Sequence, residues 1–228
     1  MKKNIIITIV IVLIFIITSS LIYIKFNNKG NNNLESQTPN KIDKNSKSLV
    51  VYFSVPETDN PNNMTKDEEN STVVIDGKVL GNTEYVASII SKQTSSDLFR
   101  IEAKNAYPTN HQELLKRVKY EMENNIKPEL KEKIDISAYD VIYLGYPIWN
   151  ATLPPIINTF LDSFDFKNKT VIPFCTHGGS GLSGTPEIIK SKLSDAHVIT
   201  NGFSIYRSSM DESLVEVNNW LQSLKLND

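Results

Sequence analysis

Short apolar runs alternate with amphipathic stretches along the chain from residue 48 onward. Apolar runs rich in β-branched residues indicate strands buried on both faces, and apolar positions spaced three and four apart indicate a helix with one buried face. The runs predict strands at 49–53, 97–102, 141–145, 170–174 and 197–205. The amphipathic stretches predict helices at 83–91, 111–124, 154–164, 186–193 and 210–224.

The regular alternation of strands and helices predicts the fold class. Parallel strands joined by helical crossovers form one sheet with helices on both faces, so we expect a three-layer α/β domain with a doubly wound, parallel, five-stranded sheet. In such sheets ligands bind beyond the carboxyl ends of the strands, where the strand order reverses. The loops after Phe53, Gly145 and Phe174 are therefore the expected site.

The N-terminal residues have a different pattern. Residues 5–24 carry no charge. At about 1.5 Å per residue a helix of that length spans about 30 Å, the thickness of the hydrocarbon core of a bilayer. We expect an uncleaved transmembrane anchor, with a cleaved signal peptide as the alternative. Residues 27–47 contain only two large apolar side chains, Leu34 and Ile42, and are expected to form a disordered linker.

The orientation of this anchor depends on the flanking charges. Lys2 and Lys3 precede the apolar run and Lys25 follows it, so the distribution of lysines barely discriminates between the two sides. A short basic start followed directly by an apolar run is typical of an N-terminus that stays inside. We therefore expect the globular domain, residues 48–228, to be tethered to the membrane on the extracytoplasmic side.

Charge and cysteine content exclude several classes of function. Residues 1–47 hold seven lysines and two acids, which leaves 17 basic and 24 acidic residues for the domain. An acidic domain gains little from counterion release, so no nucleic-acid partner is expected. A single cysteine, Cys175, and three dispersed histidines exclude a disulfide framework and a Cys/His metal site, and no metal is expected.

The loop after the first predicted strand combines a hydroxyl with a helix start. Ser54 ends the strand, and Gly81, Asn82 and Thr83 open the next helix. Backbone N–H groups at a helix N-terminus, together with hydroxyls, bind a phosphate monoester, although a ligand-free helix cap is the alternative. Between these two points, residues 55–80 contain two β-rich arms around Asp-Gly and predict a hairpin that returns Gly81 close to Ser54.

The loop after the third predicted strand carries an aromatic side chain. Trp149 at this rim has a ring that stacks on a planar ligand, and the neighbouring peptide groups offer hydrogen bonds to the edge of such a ligand. The alternative is that Trp149 fills the gap between the end of the strand and the following helix.

The loop after the fourth predicted strand is rich in glycine. Thr176 and His177 lead into Gly178, Gly179 and Gly181, and so many glycines at a ligand rim suggest that a ligand approaches the backbone closely. His177 is a candidate donor to an electron-rich ring edge. Cys175, in the apolar strand before it, is interpreted as a packing thiol rather than a redox centre.

Taken together, the three loops resemble those of the flavodoxin family, and more narrowly flavodoxin-like proteins that carry an insertion in the phosphate loop. The matching segments are Tyr52–Ser54, Gly81–Ala87, Tyr139–Trp149 and Pro173–Gly181. The resemblance spans roughly residues 48–224. It implies a noncovalently bound FMN and the strand order 2-1-3-4-5, with FMN where that order reverses.

The resemblance also implies which residues contact FMN. Ser54, Asn82 and Thr83 would hold the phosphate, residues 147–150 would line one side of the isoalloxazine, and Thr176–Gly181 would donate to its pyrimidine edge. The implied FMN-binding residues are Ser54, Gly81, Asn82, Thr83, Pro147, Ile148, Trp149, Asn150, Thr176, His177, Gly178, Gly179 and Gly181.

This chain departs from the resemblance at one place. The relatives usually have a second tryptophan and then a glycine after the first tryptophan, where this chain has Asn150 and Ala151. The loss of one aromatic ring and of one flexible residue is expected to alter how the flavin stacks and its potential.

These observations favour a membrane-tethered FMN protein that passes electrons between a reductant and a redox partner protein or a quinone. Two alternatives stay open. One is a surface module that keeps this scaffold but binds another protein through residues 55–80, without catalysis. The other is an NAD(P)H:quinone reductase-like enzyme, so the sequence leaves open whether the chain is an enzyme or an electron carrier.

Overall fold

A computed structural model describes residues 46–224. The chain divides into two units, 1–40 and 41–228, and the described residues all belong to the second. The predicted anchor 5–24 lies outside the described residues, as does nearly all of the linker. Between residues 46 and 224, every helix is too short or too polar to cross a bilayer.

The described residues form one sheet and one separate hairpin. The strands are β1 Ser48–Tyr52, β2 Thr72–Ile75, β3 Lys78–Gly81, β4 Asp97–Arg100, β5 Val141–Pro147, β6 Thr170–His177, β7 His197–Val198 and β8 Phe203–Tyr206. The sheet has the order β4-β1-β5-β6, and both β7 and β8 pair with β6. All of these pairs are parallel, whereas β2 and β3 form an antiparallel hairpin.

Six α-helices and a short 3₁₀ turn connect these strands in the described part of the chain. They are α1 Lys66–Ser71, α2 Asn82–Thr94, α3 His111–Glu123, α4 Pro155–Ser163, α5 Thr185–Lys192, the 3₁₀ turn Met210–Glu212 and α6 Ser213–Ser223. The α/β prediction is confirmed, because helices alternate with the strands of a parallel sheet.

The predicted strand 197–205 is wrong in one respect, because it is interrupted. Val171 of β6 pairs with Val198 and Phe174 pairs with Phe203, so two residues of β6 face the four residues 199–202. Pro173 of β6 has no N–H to donate to a ladder, and a Cβ at Gly202 would collide with the Pro173 carbonyl. The fifth position of the sheet is therefore filled by two short strands, and the sheet has six strands instead of five.

Both faces of the sheet are buried, which the uninterrupted apolar run of β1 predicts. Leu49, Val51 and Phe53 belong to a core cluster that includes residues of α3, α4 and α5. Val50 and Tyr52 point the other way, into a cluster with residues of α2 and α6. The layers are thus helix, sheet and helix.

The segment 55–80 between β1 and α2 contains a helix that the sequence analysis did not predict. Thr65 caps α1: its hydroxyl accepts from the Glu68 N–H, and the Glu68 carboxylate accepts from the Thr65 N–H. The hairpin turn lies at Asp76 and Gly77, which both have positive φ, +50° and +76°. β3 then ends at Gly81 and leads directly into α2.

Candidate functional site

A crevice of about 430 Å³ lies at the carboxyl ends of β1, β5 and β6. Its size falls in the range of roughly 300–1,000 Å³ that small-molecule sites occupy. Ten of the predicted site residues line it: Ser54, Asn82, Thr83, Pro147, Ile148, Trp149, Asn150, Thr176, His177 and Gly178. The structure thus brings together segments from all three predicted loops. Gly81, Gly179 and Gly181 do not line the crevice.

Gly81 instead affects the shape of the site through its close contact with Ser54. A Cβ at Gly81 would collide with the Ser54 Oγ, so the absence of a side chain lets the start of α2 lie against the end of β1. Arg100 supports the same junction: its guanidinium donates to the Ser54 carbonyl at 3.2 Å and pairs with Glu84 at 3.6 Å. No local sequence pattern marks Arg100 for this role.

The N-terminus of α2 offers donors to the crevice. The first N–H groups of a helix have no partner within the helix, and Gly81 at the N-cap has no side chain to satisfy them. The Asn82 Nδ2 donates to the Asn70 carbonyl at 3.0 Å, which leaves the buried Asn82 Oδ1 without a hydrogen-bond partner among the described residues. The Asn82 side chain therefore presents an acceptor at this end of the crevice.

Two hydroxyls join the first and the third loop. Thr83 and Thr176 are both buried, and their hydroxyl oxygens lie 2.8 Å apart. One hydroxyl donates to the other, so the second hydroxyl retains a proton that it can donate to a ligand.

Trp149 both lines the crevice and packs against the core. Its ring is half-buried and contacts Phe53 and Tyr107 edge to face, with centroids 5.2 Å and 5.3 Å apart. Tyr107 is fixed in turn, because its hydroxyl donates to the Glu121 carboxylate at 2.8 Å. These contacts come from two other segments rather than from the gap between β5 and α4, and no local sequence pattern identifies Tyr107 as a support of Trp149.

The residues after Trp149 form a tight turn. The Trp149 and Thr152 backbones exchange hydrogen bonds of 3.1 Å and 2.9 Å, and the two central residues have positive φ, +47° at Asn150 and +57° at Ala151. Two successive residues with positive φ define a type I′ turn, in which asparagine followed by glycine is preferred. Ala151 therefore occupies a conformation that favours glycine.

We expect Ala151→Gly to raise the free energy of unfolding by about 1 kcal/mol, because an L-residue with left-handed φ costs about 1–2 kcal/mol and the added chain entropy of glycine offsets part of the gain. Urea denaturation measures the change. Gly77→Ala is the matched reverse substitution, since Gly77 is the second central residue of the β2–β3 turn, and it should lower stability. A decrease with Ala151→Gly would contradict the strain at this turn.

His177 is the last residue of β6, and a hydrogen bond to one ring nitrogen leaves the other ring nitrogen as a donor. The Gly179 N–H donates to the His177 Nδ1 at 2.9 Å, so the neutral ring carries its proton on Nε2. Burial lowers the pKa of His177, which favours this neutral form.

Cys175 is fully buried and burial raises the pKa of its thiol to about 12, in agreement with its interpretation as a packing residue.

The charged lining of the crevice was not predicted. Glu57 and Asp67 come from the segment 55–80, and the Glu57 carboxylate lies 2.9 Å from the Nδ1 of His111 on α3. Burial raises the pKa of Glu57, and the hydrogen bond to His111 opposes that shift. Arg207 lines the crevice next to Gly178. Arg207 directly follows β8. Ligands bind beyond the carboxyl ends of parallel strands, so the sequence position of Arg207 could have indicated it as a site residue.

A crevice beyond the carboxyl ends of three neighbouring parallel strands, lined by a helix N-terminus and an aromatic side chain, is typical of nucleotide-binding α/β proteins. The sequence model described as flavodoxin matches residues 72–224, about two thirds of the chain. The chain therefore belongs to the flavodoxin family. The match begins after β1, which the structure nevertheless places between β4 and β5 in the same sheet.

Solved structures agree with this assignment. A candidate flavoprotein from Bacteroides uniformis is 26% identical with a TM-score of 0.58, covering 78% of this chain and 98% of its own. A second, from Bacteroides eggerthii, is 26% identical with a TM-score of 0.57, covering 80% and 100%. A flavoprotein from Lactobacillus acidophilus in complex with FMN shares the fold, with 19% identity, a TM-score of 0.52 and coverage of 75% and 99%. No curated protein matches the chain significantly.

Proposed function

We propose that the chain binds FMN noncovalently in this crevice and serves as an electron-transfer flavoprotein. The convergence of three separate segments around one crevice of about 430 Å³ carries the proposal. Membership of the flavodoxin family supports it, as does the Lactobacillus acidophilus relative with the same fold, which was crystallised with FMN.

The end of the crevice near α2 suits the phosphate of FMN. Ser54 contributes a hydroxyl, the Thr83–Thr176 pair contributes one free O–H, and the first N–H groups of α2 donate without needing a lysine. The unpartnered Asn82 Oδ1 suits a ribityl hydroxyl, which donates where a phosphate oxygen cannot. Burial raises the pKa of Glu57, and its carboxylate accepts a hydrogen bond from the His111 Nδ1 at 2.9 Å, so both its charge and its lone pairs are partly engaged away from an anion nearby.

The part of the crevice lined by Trp149, His177 and Gly178 suits the isoalloxazine ring. These two wall segments are neighbours, because the Ile148 N–H donates to the Thr176 carbonyl at 2.9 Å. The His177 Nε2–H, fixed by the bond between Nδ1 and Gly179, donates to an electron-rich ring edge. When bound, FMN supplies one- and two-electron chemistry, and the protein supplies orientation, donors and exclusion of water.

Titration of the ligand-free full-length protein with FMN tests this function. We expect a visible flavin absorbance band, and affinity for FMN at least about tenfold above that for riboflavin, because charge-assisted hydrogen bonds to the phosphate contribute about 1.5–3 kcal/mol. Thr83→Ala should weaken FMN binding but leave riboflavin binding nearly unchanged. Thr94→Ala, on the same helix but outside the crevice, is the control. Absence of the band, or equal affinity for the two flavins, would overturn the proposal.

The electron acceptor belongs to the proposal as well, as either a redox partner protein or a quinone. Consumption of NADPH by the FMN-loaded protein without an auxiliary reductase would instead support the reductase alternative. Partner capture that persists without FMN and requires residues 60–80 would support the binding-module alternative.

We further propose that residues 5–24 tether the domain to a membrane, on the strength of their uncharged sequence. The full-length protein should remain in the membrane pellet after washing with alkaline carbonate. Deletion of 5–24 should release it to the supernatant with its FMN affinity unchanged. Release of the full-length protein by carbonate, or cleavage after this segment, would reject the tether.

A further inference from the structure

Arg207 forms part of the wall of the crevice that carries His177 and Gly178. Tyr206 pairs with His177 in the sheet, and the Arg207 N–H donates to the His177 carbonyl at 2.9 Å. A Cβ at Gly178 would lie 3.2 Å from the Arg207 Nη1 and 3.3 Å from its Cζ. The guanidinium therefore lies directly against the Gly178 backbone and faces the crevice.

The charge of Arg207 has no acidic partner among residues 46–224. The chain has three arginines: Arg100 pairs with Glu84, Arg117 pairs with Glu121, and Arg207 takes part in no ion pair within the described residues. Its Nε is buried and makes no hydrogen bond there. Keeping a half-buried cation unpaired is unfavourable, so an anion in the crevice would stabilise it.

The acidic and the basic side chains of the crevice come from different segments. The carboxylates of Glu57 and Asp67 come from the segment 55–80, whereas Arg207 stands beside the end of β6. His177, on the same wall, donates a hydrogen bond but contributes no positive charge in its neutral form. Arg207 is therefore the positive charge of this wall.

We propose that Arg207 stabilises the reduced form of bound FMN. This inference rests on the proposed function, with the pyrimidine edge of the flavin next to Thr176–Gly178. Uptake of two electrons and one proton by the oxidised ring adds one negative charge, which spreads over that edge. A guanidinium next to the edge attracts this charge and contributes much less to binding of the neutral oxidised ring.

The test compares Arg207→Gln and Arg207→Lys with the unmutated full-length protein. The dissociation constant of oxidised FMN is measured by titration, and the midpoint potential is measured by reduction with dithionite against a reference dye. We expect Arg207→Gln to bind oxidised FMN within about threefold of the unmutated protein, and to weaken the binding of reduced FMN by at least about tenfold more than the binding of oxidised FMN. That difference equals a fall of about 30 mV for a two-electron couple. Arg207→Lys should restore most of the potential.

Lys104→Gln is the charge control. Lys104 is exposed and pairs with Glu129 outside the crevice, so its removal changes the net charge equally and should leave the potential unchanged. An unchanged potential in Arg207→Gln overturns the inference while the proposed function stands. So does a variant that loses FMN affinity but not riboflavin affinity, since Arg207 would then bind the phosphate. If the unmutated protein binds no FMN, the proposed function fails and this inference fails with it.

Discussion

Replacing Arg117 with alanine is expected to lower the free energy of unfolding by about 3–4 kcal/mol, because it leaves the buried Glu121 carboxylate without its cation. The Glu121 side chain is 6% exposed, and it accepts from the Arg117 Nε at 2.7 Å and from the Tyr107 hydroxyl at 2.8 Å. The variant also loses the contact of the guanidinium with the Tyr107 ring, 4.0 Å from its centroid, and two hydrogen bonds to backbone carbonyls. Urea denaturation measures the loss.

The same helix provides a matched control. Lys119 and Glu123 are also four residues apart on α3, at 3.7 Å, but their side chains are 71% and 63% exposed. Solvent screens such a pair, so Lys119→Ala should change stability by less than about 0.5 kcal/mol. Similar losses in the two variants would show that burial does not determine the contribution of the Arg117–Glu121 pair.

Gly81→Ala is expected to damage both stability and ligand binding. The φ of Gly81 is −68°, which alanine adopts readily, so the effect is purely steric: the new Cβ would collide with the Ser54 Oγ and lie 3.2 Å from the Ser54 Cβ. Forcing β1 and α2 apart should cost about 2 kcal/mol of stability. It should also weaken FMN binding by more than about tenfold, because the two segments proposed to hold the phosphate separate by a fraction of an ångström.

A second substitution isolates the clash. Ser54→Ala combined with Gly81→Ala removes the colliding oxygen, so part of the lost stability should return, and the double-mutant cycle measures the coupling between the two positions. FMN affinity should not return, because the Ser54 hydroxyl is absent. Full additivity of the two stability changes would contradict the contact between Gly81 and Ser54.

The sequence predicts the fold well where the signal is local. The apolar runs locate the strands of the sheet to within a few residues, because strands buried on both faces need such runs. β6 extends three residues beyond its predicted end, through His177, and so carries two predicted site residues on a strand rather than on a loop. Helix α1 was missed although Thr65 and Glu68 have the spacing of a capping box.

The parts of the site that could not be predicted depend on contacts between distant residues. Arg100 reaches the carbonyl of a residue 46 positions earlier, and Tyr107 meets Glu121 and Trp149 only after the chain has folded. The break in the strand 197–205 reflects its neighbour, because it is Pro173 of β6 that lacks the donor. No single-segment pattern contains this information.

The position of Thr176 and His177 at the end of β6 affects how a ligand associates. Thr176 pairs with both β5 and β8, and His177 pairs with β8. Their polar groups are therefore already oriented before a ligand arrives. A ligand that binds there orders few additional groups at this wall, which lowers the conformational entropy lost on binding.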